Sequence, residues 1–415
     1  MSHSHDASVA ADSPVHVRIG VANLTRQAMM GVDITGIANG LIEEATRNPD
    51  NAGALMDLAI VAQLGGNQEA GLKIQNDALE IGRLFRIPSQ VASPRLRVLA
   101  IAAASDIGGN TPIDFLLHGS DIELYMLYVV PGLPLPQPIP PHDVAVVVAS
   151  PDKATAALEE IERMVQQWPC KVLNPPQNIA RQDRDRLFHV LQGIDGLRIP
   201  STARVTRQQL IDFAATGANL GALLPDGAFP LIVRPTESHA GRGLHKLDQP
   251  SDLVAYLEGR DEQHFFLSSY LHYASADGMF RKYRIVLIDG RPFACHMAIS
   301  DQWKIWYLNA EMAESADKRA EEAVWMDSFD DGFAKRHEHA LAQLASKLGL
   351  EYVAIDCAEL PDGRLLVFET DNCSIVHDMD SPEIFPYKVP AMRKLFDAFV
   401  AMIGTYSARV ATRAA

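Results

Sequence analysis

The sequence predicts a mixed α/β (α+β) protein: an N-terminal α-helical segment, then a small parallel α/β domain, then a strand-rich region. Three observations carry this. Apolar residues recur at helical spacing between about residues 22 and 86. Buried-strand patterns alternate with helices from Arg95 onward. In the last half of the chain, strand pairs are joined by Asp-Gly turns.

The 415 residues suggest two to four domains. The expected boundaries are a disordered tail over 1–17, helices over 18–92, an α/β domain over 93–180 and a larger region over 181–410. A net charge of −15 argues against a nucleic-acid or anionic-membrane surface, while leaving room for a local basic pocket. Cys170, Cys295, Cys357 and Cys373 have no CxxC or Cys/His ligand spacing, which argues against structural zinc and fits a reducing, cytoplasmic setting. No apolar run reaches about 18 residues, and MSHSHDASVAADSP lacks the layout of a signal peptide.

In the helical segment, Leu55, Leu58, Ala59 and Ala62 share one face. Gly65-Gly66-Asn67 breaks the run, and Ala70, Ile74, Ala78 and Leu79 resume it. The pair resembles one degenerate tetratricopeptide unit, without a second clean copy. A plain α-hairpin cap and a repeat that binds a protein or peptide both stay open.

Ser93-Pro94 opens the α/β domain. Strands are expected over 95–102, 122–129 and 143–148, with a helix over 151–168. Gly108-Gly109-Asn110 follows the first strand, where an open α/β sheet places ligand loops; an ordinary turn fits as well. Beyond it come a short strand at 171–173, a helix over 181–194, a strand at 197–200 and a helix from Thr206, a plausible N-cap.

Three features carry chemistry. In the first, EYVAIDCAEL and LLVFETDN read as strands around PDGR. With Asp362-Gly363 as a two-residue loop, paired positions sum to 362 + 363 = 725, so Asp356 faces Glu369, and Asp371 shares their face. Directly opposed like charges destabilise a sheet. A divalent cation such as magnesium would compensate them; a solvated face carrying three acids is the alternative. The second feature runs from Arg234 to Lys246, a strand ending on a cation followed by Ser238, Gly241 and Gly243. Small residues there let backbone N–H groups approach phosphate oxygens; a flexible hairpin tip looks the same. The third is Arg281-Lys282-Tyr283-Arg284 entering an apolar strand that ends in Asp289-Gly290, either cations at a site or a solvated strand start.

The order of these features over residues 94 to 405 resembles the ATP-grasp superfamily. VLNPPQNIARQDRDRLFHVL resembles the region before its nucleotide domain, and LRIPSTARVTRQQL its strand-to-helix step. FPLIVRPTESHAGRGLHKL resembles its cation and glycine loop, FRKYRIVLIDGRPF its arginine-bearing strand pair, and VAIDCAELPDGRLLVFETDN its metal hairpin.

The resemblance implies roles. Arg234, where lysine is usual, would contact ATP phosphates, and Gly241 and Gly243, with Ser238 in the same loop, would close over them. Arg284 would meet an acyl phosphate; Lys282 stands where an acid is frequent. FLSSYL matches the hinge under adenine, with Ser268 and Ser269 in place of acidic or amide residues; Ser269 and Leu271 would contact the nucleotide. Asp356 and Glu369 would bind magnesium, with manganese as an alternative, and Asp371 or Asn372 would complete the set. The activity implied is ATP-dependent joining of a carboxylate to an amine, such as amino acids or a peptide, releasing ADP and phosphate. Asp378 or Asp380 would hold the amine, or that segment is an ordinary loop. A phosphotransferase and a non-catalytic nucleotide-binding adaptor are the other readings; a homodimer is compatible with each.

Overall fold

The computed structural model describes residues 13–414 except 217–219, 226, 237, 239–240 and 307–308. The chain divides into two compact units: Met1–Ala149 with Lys153–Leu173 and Ile403–Ala415, and Ser150–Asp152 with Asn174–Met402. Most of the expected tail, and Glu237, His239 and Ala240 of the glycine-rich segment, lie outside the described residues.

The first unit contains, in order, β1 His16–Val17, α1 Val21–Met29, α2 Ile34–Arg47, α3 Ala52–Leu64, α4 Gln68–Ile81, β2 Leu84–Ile87, β3 Leu96–Ala103, α5 Ile113–Leu116, β4 Ile122–Val129, β5 Val144–Val147, α6 Thr155–Val165 and β6 Val172–Leu173. Gly65-Gly66-Asn67 does break the helical run. Gly66 has φ +85°, and the Asn67 side chain accepts from Ala70 N–H at 3.2 Å to start α4. Two readings are corrected. Residues 84–87 are a strand, because Gly82 leaves the helix in an extended conformation and Leu84, Phe85 and Ile87 are buried in the sheet. His16–Val17, expected in the tail, pairs parallel with β2. The sheet order is β1-β2-β4-β3-β5-β6. From β4 through β6 all pairs are parallel, as the alternation of strands and helices predicts. The β2–β4 pair is antiparallel.

The second unit begins with α7 Pro176–Ile179, α8 Arg184–Leu191, β7 Leu197–Arg198, β8 Thr202–Thr206, α9 Arg207–Thr216 and α10 Leu220–Leu223. It continues with β9 Leu231–Pro235, β10 His245–Leu247, α11 Pro250–Leu257, β11 His264–Ser269, β12 Phe280–Ile288 and β13 Arg291–Ser300. It closes with α12 Ala316–Asp327, α13 Glu338–Leu348, β14 Tyr352–Glu359, β15 Leu365–Asp371 and α14 Lys388–Ala414, whose last turns belong to the first unit. Thr206 caps α9: its hydroxyl accepts from Gln209 N–H at 3.2 Å, and Gln209 returns a bond to Thr206 N–H at 2.8 Å.

Two sheets organise this unit. One is four-stranded, β10-β9-β11-β8, and antiparallel. It buries Val205, Leu231, Val233, Phe265 and Leu267 against Leu210, Phe213 and Leu253 of the helices. The other runs β13-β12-β14-β15-β7, antiparallel except for β15–β7. Its middle strands bury Ile285, Val286, Leu287, Ile355 and Val367 completely. At about 25 cal/mol per Å² of apolar surface, such side chains fix the strands firmly enough to hold charged neighbours in register.

Candidate functional site

The pairing of β14 with β15 sets the carboxylates. Asp356 does face Glu369, and Asp371 stands opposite Ala354 on the same face. The turn is not the two-residue loop expected from Asp-Gly. Glu359 pairs with Leu365, Leu360 N–H donates to Arg364 O, and Gly363, at φ +84°, donates to Leu360 O. Three residues therefore form the loop, which shifts the pairing sum to 359 + 365 = 724. Phe368 then bulges opposite the Asp356–Cys357 step, restoring 356 + 369 = 725. The two irregularities cancel, so the expected pair arises from a different register history.

On the other side, β12 places Arg284 opposite Asp356, and β13 places His296 opposite Arg284. His296, Arg284, Asp356 and Glu369 thus form one row across four strands, with Lys282 one step along the same face. The repulsion between the acids is compensated by side chains. Arg284 Nε and Nη2 donate to both oxygens of Asp356 at 2.7 and 3.0 Å. Lys282 Nζ lies 2.6 Å from Asp356 Oδ2. Arg184, near the start of α8, bonds Glu369. The Asp356 side chain is 2% exposed and that of Glu369 30%. Burial alone would raise the pKa of Asp356, but Arg284 and Lys282 outweigh it and hold the carboxyl well below its ordinary range. Burial likewise opposes ionisation of Glu369, and the combined charges of Arg184, Lys282 and Arg234 outweigh it and lower the value.

Asp371 and Asn372 behave differently. Burial raises Asp371 to about 6, against the N–H of Cys373 and with the charge of Glu369 beside it. Its carboxylate accepts from Cys373 N–H at 2.7 Å and Ser374 Oγ at 3.0 Å. Asn372 is fully buried, and its Oδ1 accepts from Gln182 at 2.9 Å. Its amide is turned to the interior, whereas Asp371 lies on the face that carries Glu369. Among the described residues, no three of His, Cys, Asp and Glu converge as a metal site.

The glycine-rich loop between β9 and β10 is braced from within. Arg234, 9% exposed, donates through Nε to Ser238 Oγ at 3.1 Å and also bonds the Ser238 carbonyl. Ser238 Oγ donates to Pro235 O at 2.8 Å. Burial, and then Arg184 nearby, lowers Arg234 to about 10. The cation expected to meet an anion thus shapes the loop in this structure. Gly243, at φ +65°, has no room for a side chain: a Cβ there would sit 2.7 Å from Pro235 Cδ. Gly241, at φ +71°, lies under Lys304, whose Nζ donates to Leu244 O at 3.2 Å.

β11 runs beside this loop, between β9 and β8. Ser268 and Ser269 pair by hydroxyl with Thr202 and Ser201 at 2.9 and 2.7 Å. Leu271 follows the strand and is half-buried. Tyr270 packs edge-on to Trp303 at 5.7 Å, with Lys246 Nζ 5.0 Å above its ring. Asp380, which with Asp378 was one of two acids that could hold an amine, accepts from Lys388 Nζ at 2.8 Å. Arg184, Lys304 and Trp303 escaped sequence reading. Arg184 is one of three arginines between residues 181 and 186, and only the packing of α8 on β15 distinguishes it.

No family model and no curated protein matches the chain. Among solved structures it is similar to the VanG D-Ala:D-Ser ligase from Enterococcus faecalis, at 11% identity and TM-score 0.47, over 74% of this chain and 99% of that one. It is similar to D-alanine–D-alanine ligase from Bacillus anthracis, at 14% identity and TM-score 0.42, over 77% and 100%. It is also similar to a RimK-domain ATP-grasp protein from Sphaerobacter thermophilus, at 15% identity and TM-score 0.40, over 73% and 99%. At these distances the likeness assigns no residue a role. No described helix is long and apolar enough to cross a membrane.

Proposed function

We propose that this chain is an ATP-dependent ligase of the ATP-grasp type, joining a carboxylate to an amine and releasing ADP and phosphate. The observation that carries the reading is the charged row. Three cations, Arg184, Lys282 and Arg284, stand against Asp356 and Glu369 on one sheet face. In the same unit is a loop whose glycines at 241 and 243 adopt positive φ. A polyphosphate satisfies fixed cations and backbone N–H groups together, by charge-assisted bonds stronger than neutral ones.

The donor set fits one divalent cation at Glu369 and Asp371: Glu369 is exposed enough to reach, and its ion pair with Arg184 is exchangeable for phosphate. A bound magnesium would supply charge neutralisation for the transferring phosphoryl group. The substrate carboxylate would attack the γ-phosphorus and displace ADP. Arg284 and Lys282 would then stabilise charge on the acyl phosphate while the amine attacks the acyl carbon, phosphate leaves and the amine proton is lost. Positioning and electrostatics carry such transfers, so no protein nucleophile is required.

An ADP-release screen over pairs of amino acids and small peptides tests the reading, with Glu369→Gln in parallel. The expected result is ADP formation that needs both substrates and falls at least tenfold in the variant. Undiminished turnover in Glu369→Gln overturns the site assignment. Stoichiometric ADP with a single substrate would mark a phosphotransferase instead.

A further inference from the structure

Asp356 is satisfied in a way that Glu369 and Asp371 are not. Arg284 forks onto both of its oxygens, and Lys282 adds a third bond, at 2.7, 3.0 and 2.6 Å. The register explains the geometry: Arg284 is the cross-strand partner of Asp356, and Lys282 lies two residues earlier on the same face. One carboxylate between two cations leaves the triad with a charge of +1. A divalent cation seeks a carboxylate with negative charge beside it; here three charge-assisted contacts from two cations already hold the acid and leave the triad positive. Glu369, in contrast, carries one ion pair, and among the described residues Asp371 accepts only from Cys373 N–H and Ser374. Together with Arg184 those two acids leave a net negative charge when ionised.

The clamp keeps donors for a ligand. Among the described residues nothing bonds Arg284 Nη1, and Lys282 Nζ uses one of its three protons on Asp356. The side chains of Arg284 and Lys282 are 20% and 18% exposed, against 2% for the acid beneath them. The carboxylate is covered and the cations face outward, an arrangement that preorganises positive charge before any ligand arrives.

We infer that Asp356 is not a metal ligand but the anchor of a two-cation clamp, Lys282 with Arg284, that grips phosphate oxygens, and that the site takes one divalent cation per nucleotide, on Glu369 and Asp371. This rests on the nucleotide reading above and departs from the sequence expectation that Asp356 binds magnesium. Asp356 is accordingly a positioning residue.

The test counts metal. Manganese is titrated into the full chain saturated with a non-hydrolysable ATP analogue, and free Mn²⁺ is read by electron paramagnetic resonance. Wild type is expected to bind one Mn²⁺. Asp356→Asn is expected still to bind one, and Glu369→Gln none. In EDTA, the analogue is expected to bind Lys282→Met ten- to a hundredfold more weakly than wild type, the loss of one charge-assisted bond; Lys282→Arg should recover most of this. Lys282→Met serves if Asp356→Asn fails to fold. Two Mn²⁺ in wild type, with one lost in Asp356→Asn, overturns the inference, as does unchanged affinity in Lys282→Met. Wild type that binds no analogue under any condition overturns the nucleotide reading itself, and this inference with it.

Discussion

Replacing Asp356 by asparagine keeps the shape of the side chain and removes its charge. Two cations then lie over an amide, and the new NH2 group points at a guanidinium donor. Breaking a buried ion pair by removing one partner costs about 3–5 kcal/mol. Arg284 and Lys282 are each about one-fifth exposed, so water recovers part of the loss. The expected destabilisation is about 3 kcal/mol, a large share of the ~5–15 kcal/mol typical of a folded domain. Glu369→Gln is the internal control. Its ion pair with Arg184 is nearly one-third exposed on both sides, and such pairs contribute about 0–1 kcal/mol. Urea unfolding followed by tryptophan fluorescence suits the comparison, since Trp303, Trp306 and Trp325 lie in the second unit and Trp168 in the first. Adding Lys282→Met to Asp356→Asn should return about 1–2 kcal/mol, because it removes one orphaned charge. A loss below about 1 kcal/mol in Asp356→Asn, or an equal loss in Glu369→Gln, would refute the division of labour between the two acids.

Three further outcomes follow from the geometry. Asp371 is raised to about 6, so the folded state binds its proton more tightly than the unfolded one. Its stabilising contribution is complete below about pH 4 and disappears as pH rises through 6, a swing of about 3 kcal/mol in metal-free protein; Asp371→Asn should flatten the pH dependence of unfolding over that window. Gly243→Ala places a Cβ against Pro235 at a backbone angle disfavoured by about 1–2 kcal/mol, so limited proteolysis should cut the loop between β9 and β10 faster than in wild type. Thr206→Ala removes the cap of α9 and should cost about 1 kcal/mol in urea, without altering the metal count.

How much of this was legible in the sequence depends on the range of the interaction. Local signals held: Gly66-Asn67 ended one helix and started the next, Thr206 capped α9, and the alternation of strands and helices gave the parallel part of the first sheet. Opposition of Asp356 and Glu369 agrees with the hairpin arithmetic only because the three-residue loop and the bulge at Phe368 cancel. Failures came where a neighbour distant in sequence decides. Residues 84–87 extend an apolar run at helical spacing and become a strand only because β1 and β4 receive them. Arg284 and Lys282 reach Asp356 across 72 and 74 positions, as 356 − 284 and 356 − 282 give, so the hairpin alone left its repulsion uncompensated and invited a metal. Arg234 was read correctly as a cation at a strand end, but its use in bracing Ser238 depends on a loop conformation that composition does not encode.

The offset and its correction within the β14–β15 hairpin have a further consequence. The bulge at Phe368 separates the tip of the hairpin from the row that carries Asp356 and Glu369. The two segments answer to different constraints: the tip to turn chemistry at Asp362 and Gly363, the row to its cations. A change of loop length is therefore felt first at the pairs nearest the turn, while Arg284 and Arg184 hold the acids in place from outside the hairpin. The exposed turn is thus a natural place to graft a reporter peptide or a spectroscopic label while leaving the charged row undisturbed.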